Sequence, residues 1–223
     1  MTSDLSGAAL VPSALDWRRV RQELSEAVRV VRQDQLMRMA ARTALLDHFR
    51  WRAGHADVWP VFADPEAFAA VVAGLTEPWR DQRVTRVLGI ESRGFLLGGA
   101  AALSLGVGFV AVRKATGLLP GPKVEIDADE DYRGQRHRLR MQPVLDAGDR
   151  VLLVDDWAEY GSQARAARQL VQLCGATFLG ASVLVDQLNT EARSALVRVT
   201  SLVTGEELDD PAEATDLSAA GSS

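Results

Sequence analysis

The sequence predicts an α/β domain, a parallel twisted sheet flanked by helices, with a helical extension at its N-terminal side. Three observations carry this prediction. From about residue 65 onward, short apolar runs alternate with longer runs of helical periodicity, the order that builds a parallel sheet wrapped by helices. Residues 14 to about 50 instead repeat apolar side chains at spacings of three and four, which is the period of an amphipathic helix. With 223 residues, 47% of them hydrophobic and 25% charged, the chain is long enough for one main core plus an appendage.

Taken in order, residues 1 to 13 are small and polar and are expected to be loose. Val20, Leu24, Val28, Val31, Leu36 and Met39 then mark one long or two shorter helices, read as a packing or dimerising appendage. A DNA-reading helix-turn-helix is the alternative, but no Gly-containing turn divides the segment. Asp64 followed by Pro65 reads as the cap and first position of a helix over "DPEAFAAVVAGLTEPWR". A strand is expected over 84–90. Residues 94–112 carry no charge and have the length of a membrane span, yet five glycines and the change of texture at Gly106 favour a buried helix over about 95–105 and a buried strand over about 108–112. A polar stretch, 114–150, breaks the rhythm, which resumes with a strand over 150–156, a helix over 162–174 and a strand over 177–186. The tail from Glu206 is acidic and rich in small residues, the composition of a disordered segment. The expected division is therefore an extension over 1–50, a main domain over 51–205 and a tail over 206–223.

Charge and motifs exclude several function classes. A net charge of −5 gives no broad electrostatic footprint for nucleic acid. The single Cys174 forms no intrachain disulfide and no cationic leader precedes an apolar run, so a reducing cytoplasm is the expected location. "GIESRG" lacks the Gly-x-Ser-x-Gly nucleophile elbow, and neither a dinucleotide fingerprint nor a P-loop occurs. No His/Cys cluster has zinc spacing.

Parallel sheets bind ligands at the carboxyl ends of their strands, and "GIESRG" and "DDWAEYGSQ" both fall at such ends. In "VLLVDDWAEYGSQA", Asp155 and Asp156 close an apolar strand, and Gly161, Ser162 and Gln163 open a helix whose unpaired amides suit a phosphate. Carboxylates beside a phosphate cradle make sense for a ligand that also carries hydroxyls or a divalent metal, and a sugar phosphate offers hydroxyls for the carboxylates and a phosphate for the turn. The plainer reading has Asp155 capping the strand and Asp156 facing solvent.

These residues resemble the phosphoribosyl-pyrophosphate (PRPP) motif of the type I phosphoribosyltransferases. "VLGIESRGFLLGGAAALSLGVGFVAVRKATGLLPGPK" is similar to the central segment of the adenine phosphoribosyltransferase family, "DVWPVFADPEAF" to the segment ahead of its first core helix and "ASVLVDQL" to a strand near its C-terminus. The resemblance covers roughly residues 54–205. It implies transfer of 5-phosphoribosyl from PRPP to a nitrogenous base, adenine or another purine-like heterocycle, with release of pyrophosphate. The ribose hydroxyls would meet Asp155 and Asp156, and the 5-phosphate would sit on Glu159, Tyr160, Gly161, Ser162 and Gln163. Ser92, Arg93, Arg113 and Lys114 would hold pyrophosphate. Mg²⁺ would be held mainly by PRPP, near Asp155 and Asp156, and a flap over 120–142 would exclude water. Asp131 is the implied acid for the purine proton, and Glu159, where the family usually has Ala, is a second acid/base candidate. A homodimer is also implied. Leu118 or Leu119 stands where the family has a lysine, and His55-Ala56 where it tends to have Phe-Arg. The competing reading is a non-catalytic PRPP-sensing regulatory protein on the same fold.

Overall fold

Asp64 does what its place ahead of Pro65 predicts: its carboxylate accepts a 2.7 Å hydrogen bond from the Ala67 amide and caps α3, Pro65–Thr76. In this computed structural model the described residues are 17–130 and 136–208. The expected loose start lies outside them, as do most of the acidic tail and residues 131–135, Asp131 among them.

The N-terminal segment forms one continuous helix, α1, Trp17–His48, with no break at which a helix-turn-helix would bend. The chain divides into two compact units, Met1–Leu36 and Met37–Ser223. In the first unit, Val28, Val31 and Leu36 are exposed within the single chain. In the second, Met39 is exposed while Ala41 and Leu45 are fully buried. A short hairpin, β1 (Arg50–Arg52) and β2 (His55–Asp57), follows and turns through Ala53 and Gly54, both at positive φ. A brief helix, α2 (Trp59–Ala63), leads to Asp64.

The main sheet has seven strands: β3 (Arg86–Ile90), β4 (Gly108–Lys114), β5 (Val124–Glu130), β6 (Arg136–Met141), β7 (Arg150–Ala158), β8 (Thr177–Asp186) and β9 (Val199–Thr204). Their order is β5-β6-β4-β3-β7-β8-β9. The five from β4 to β9 pair parallel, while β5 and β6 join antiparallel at one edge. Between strands run α4 (Arg93–Leu105), α5 (Ser162–Leu173) and a short α6 (Thr190–Ser194). Leu97 and Ala101 of α4 and Val71 and Leu75 of α3 share one apolar cluster with Val87, Leu152 and Val154 of the sheet. Ala166, Leu170 and Val171 of α5 share another with Leu88, Leu153 and Leu139. The charge-free stretch 94–112 is thus a helix and a strand of this core, and no helix among the described residues is long and apolar enough to cross a membrane.

The polar stretch that interrupts the sequence rhythm contains a hairpin. Ala128, Leu139 and Met141 are buried there among charged neighbours, and β6 pairs with β4 through Arg113↔Arg140 and Lys114↔Leu139. Alternation with period two is weak evidence in so charged a run, which is why the sequence shows only a polar break in the rhythm there.

This topology places the site. From β3 the chain crosses to β4 on one side, whereas β7 leads to β8 on the other, and β3 and β7 are hydrogen-bonded neighbours. The loops leaving their carboxyl ends, 91–93 and 159–161, therefore diverge around a crevice at the sheet's switch point.

Candidate active site

A cleft of about 650 Å³ opens at that switch point. Asp155, Asp156, Glu159, Tyr160, Gly161 and Ser162 line it, together with Gln163 from the first turn of α5. From the neighbouring strand come Glu91, Ser92 and Arg93, and from β4 comes Lys114. Residues predicted from two separate sequence motifs thus share one cavity. Arg113 is not among its lining residues, and Asp131 lies outside the described residues.

Local backbone chemistry shapes each wall. Gly161 takes φ +68°, a left-handed conformation that favours glycine, and turns the chain from β7 into α5. The first amides of α5 have no acceptor within the helix and meet the positive end of its dipole, so this corner accepts an anion. Ser162 is buried there, at the first position of the helix. Opposite, the Glu91–Ser92 peptide is cis and α4 begins at Arg93. A Cβ on Gly89 would collide with the Gly94 carbonyl oxygen, and one on Gly94 would lie 2.8 Å from Asp155 Oδ1. Glycine at both positions lets α4 approach the strand and the acidic pair.

The two carboxyls differ. Burial, then the neighbouring Asp156 charge, hold the Asp155 carboxyl well above the ordinary carboxylate range, although its Oδ1 accepts a 2.9 Å hydrogen bond from the Asp156 amide. Asp156 is buried, with its Oδ2 3.0 Å from an Arg93 guanidinium nitrogen. Arg113 is engaged elsewhere. It donates to Glu91 at 2.7 and 3.2 Å and to the Leu118 carbonyl at 2.6 Å, and the Lys114 amide donates to the same Glu91 carboxylate. The Arg113 hydrogen bonds hold the Glu91 carboxyl below its ordinary range. Arg113 thus braces the strand that carries Lys114 against the 91–93 loop.

The third wall is aromatic. Trp51, Gly54, His55 and Ala56 of the β1–β2 hairpin line the cleft together with Trp157 and Gln187. Trp157 donates from its indole N–H to Gln187 Oε1 at 2.9 Å, and packs against Trp51 and Phe49 with ring centroids 6.1 and 6.3 Å apart. The resemblance sets His55 and Ala56 on the base side. Trp51 lies outside the quoted motifs and Gln187 sits near the end of "ASVLVDQL" with nothing local to mark its role, so only the fold brings them to Trp157. The arrangement combines an anion corner, two carboxylates for hydroxyls, cations beside them and a flat apolar wall, which together suit a phosphorylated sugar next to an aromatic ring.

No family model matches the chain. An adenine phosphoribosyltransferase from Nocardioides sp. is 45% identical over 154 residues, which is 66% of this chain and 82% of that protein. Another from Dinoroseobacter shibae is 41% identical over 143 residues, 63% of this chain and 77% of its own. Among solved structures, adenine phosphoribosyltransferase from Rhodothermus marinus matches with a TM-score of 0.66 and 31% identity, over 74% of this chain and 98% of that one. The Giardia lamblia enzyme complexed with 9-deazaadenine matches with a TM-score of 0.62 and 34% identity, over 67% and 86% respectively.

Proposed function

The chain belongs to the adenine phosphoribosyltransferase family, and from that premise we propose a mechanism in which it transfers 5-phosphoribosyl from PRPP to adenine or another purine-like base, releasing pyrophosphate, as in purine salvage. The observation that carries this reading is the shared cleft: the acidic pair of β7, the N-terminus of α5 and the 91–93 loop face one another.

The 5-phosphate rests on the α5 amides and on Ser162 and Gln163, while the ribose hydroxyls donate to Asp155 and Asp156. Ser92, Arg93 and Lys114 receive the pyrophosphate, with Arg113 supporting Lys114 through Glu91. A ring nitrogen of the base attacks C1 of the ribose while the bond from C1 to the pyrophosphate oxygen breaks, and the electron pair leaves with pyrophosphate. Positive charge that builds on the ribose ring is stabilised by the adjacent carboxylates. Trp157 and His55 flank the base, and Asp131 or Glu159 exchanges its ring proton. The flap that the resemblance implies over 120–142 would exclude competing water.

Among the described residues no group of three or more His, Cys, Asp or Glu gathers as a resident metal site. Two adjacent carboxylates and substrate phosphates are nevertheless a donor set that fits Mg²⁺, so Asp155 and Asp156 would hold it together with PRPP. There it would offset the charge of the departing pyrophosphate.

Pyrophosphate release from PRPP across adenine, guanine, hypoxanthine, xanthine, uracil and simple amines tests the reading. Release is expected with adenine or a related purine and is expected to stop when Mg²⁺ is chelated. Turnover with no purine would count against it. A homodimer fits the exposed apolar residues Leu96 and Leu103 of α4 and Phe109 of β4. Sedimentation is expected to give twice the monomer mass, and the Leu103→Glu variant to give one. A cytoplasmic location fits the lone Cys174, and cell fractionation checks it.

A further inference from the structure

Asp156 is only 6% exposed, and its Oδ2 has no aligned hydrogen-bond donor although Arg93 stands within ion-pair distance at 3.0 Å. The contact is a charge pairing that leaves the oxygen's lone pairs unmet. Arg93 differs from its partner: 31% of its side-chain surface is exposed, and it lies at the first position of α4, next to Ser92 on the pyrophosphate side of the cleft.

We propose that Arg93 is an exchange residue. It neutralises Asp156 in the empty cleft and moves to the pyrophosphate of the incoming donor, so Asp156 becomes available to ribose hydroxyls only when a ligand also brings pyrophosphate. This rests on the phosphoribosyl transfer described above. A buried carboxylate deprived of its counter-charge is costly, so the empty site needs a cation on Asp156. A planar, fork-shaped guanidinium matches a pyrophosphate better than a single buried oxygen, and the hydroxyl donors replace it on Asp156. Ribose 5-phosphate offers the same hydroxyls but no pyrophosphate, and so no anionic acceptor at C1 for Arg93. It must strand the guanidinium or bind with Asp156 blocked. Arg113 cannot take over, because Glu91 and the Leu118 carbonyl hold its guanidinium. Once pyrophosphate departs, Arg93 returns to Asp156 and loosens the hold on the nucleotide product. The same pairing therefore selects the donor and promotes product release.

Calorimetric titration of Mg²⁺-PRPP and, separately, ribose 5-phosphate into wild type, Arg93→Gln and Arg93→Lys tests the exchange. In Arg93→Gln the PRPP affinity is expected to fall about 10- to 100-fold, the worth of hydrogen bonds to a charged group. The ribose 5-phosphate affinity is expected to rise, by up to about fivefold, because a partly exposed ion pair no longer has to be broken. Arg93→Lys, which keeps the charge without the fork, is expected to shift both affinities in the same directions by less, and it supplies the comparison should Arg93→Gln fail to fold. Equal weakening of both ligands, or unchanged ribose 5-phosphate binding, would overturn the exchange and leave Arg93 a fixed pyrophosphate ligand. Absence of PRPP binding to the wild type would overturn the transferase reading along with it.

Discussion

Replacing Asp155 and Asp156 together with Asn is expected to reduce pyrophosphate release by at least about 10²- to 10³-fold, since two acceptors are lost at the point where positive charge develops. The single variant Asp155→Asn separates function from stability. In the empty protein, burial and the Asp156 charge disfavour ionisation of Asp155, so its folded pKa lies above the unfolded value. The sign follows from linkage. Below the unfolded pKa, about 3.9, the carboxyl is neutral in both states and imposes no penalty. As pH rises toward the folded pKa, the unfolded chain releases the proton more readily and the wild type loses stability. Asn carries no such penalty. Without metal or PRPP, Asp155→Asn is therefore expected to melt above the wild type at pH 7 to 8, with the gain shrinking as pH falls toward 4, while its turnover drops. Thermal melts across that range in chelating buffer check the result, and a variant less stable than wild type throughout would show that the acidic pair is not the strained element of the fold.

How much of this was legible in the sequence depends on how each residue acts. Asp155, Asp156, Gly161 and Ser162 could be found because a strand-to-helix turn uses neighbouring residues, so the site's chemistry lies within one short stretch. The strand Thr177–Asp186 could be read to the residue, because its mostly buried positions 178–185 are apolar apart from Ser182 and are bounded by polar Thr177 and Asp186. The aromatic wall was hidden for the opposite reason: Trp51 and Gln187 are 106 and 30 positions from Trp157, and no local period links residues that meet only through the fold. The Arg93 and Arg113 pairings were hidden as well. Sequence identifies a cation beside a phosphate site, but not whether a buried carboxylate has already engaged it. The exposed Val28, Val31 and Leu36 mark a further limit, since helical spacing reveals an apolar face without naming what covers it.

The second large effect is expected from a single methyl group. Gly94→Ala places a Cβ 2.8 Å from Asp155 Oδ1 and 3.2 Å from its Cγ, inside the separation that a real Cβ keeps. Two contributions to stability oppose each other. Alanine improves helix propensity over glycine by up to about 1 kcal/mol, while overpacking at a filled site costs about 1 to 3 kcal/mol. The net change in folding stability is thus modest. Gly99→Ala in the same helix, where an added Cβ meets nothing within 4 Å, isolates the propensity contribution and is expected to raise the melting temperature. Activity has no such compensation. Either the Asp155 carboxyl rotates, breaking its 2.9 Å bond to the Asp156 amide, or the start of α4 moves outward and carries Arg93 away from Asp156. Both responses displace a group whose distance to the ribose sets the rate, and a misplacement near 1 Å costs about 10²-fold. Gly94→Ala is therefore expected to remain folded, with kcat/KM lowered by about 10- to 100-fold. Full activity in a folded Gly94→Ala protein would mean that the close approach of α4 to the acidic pair serves packing alone.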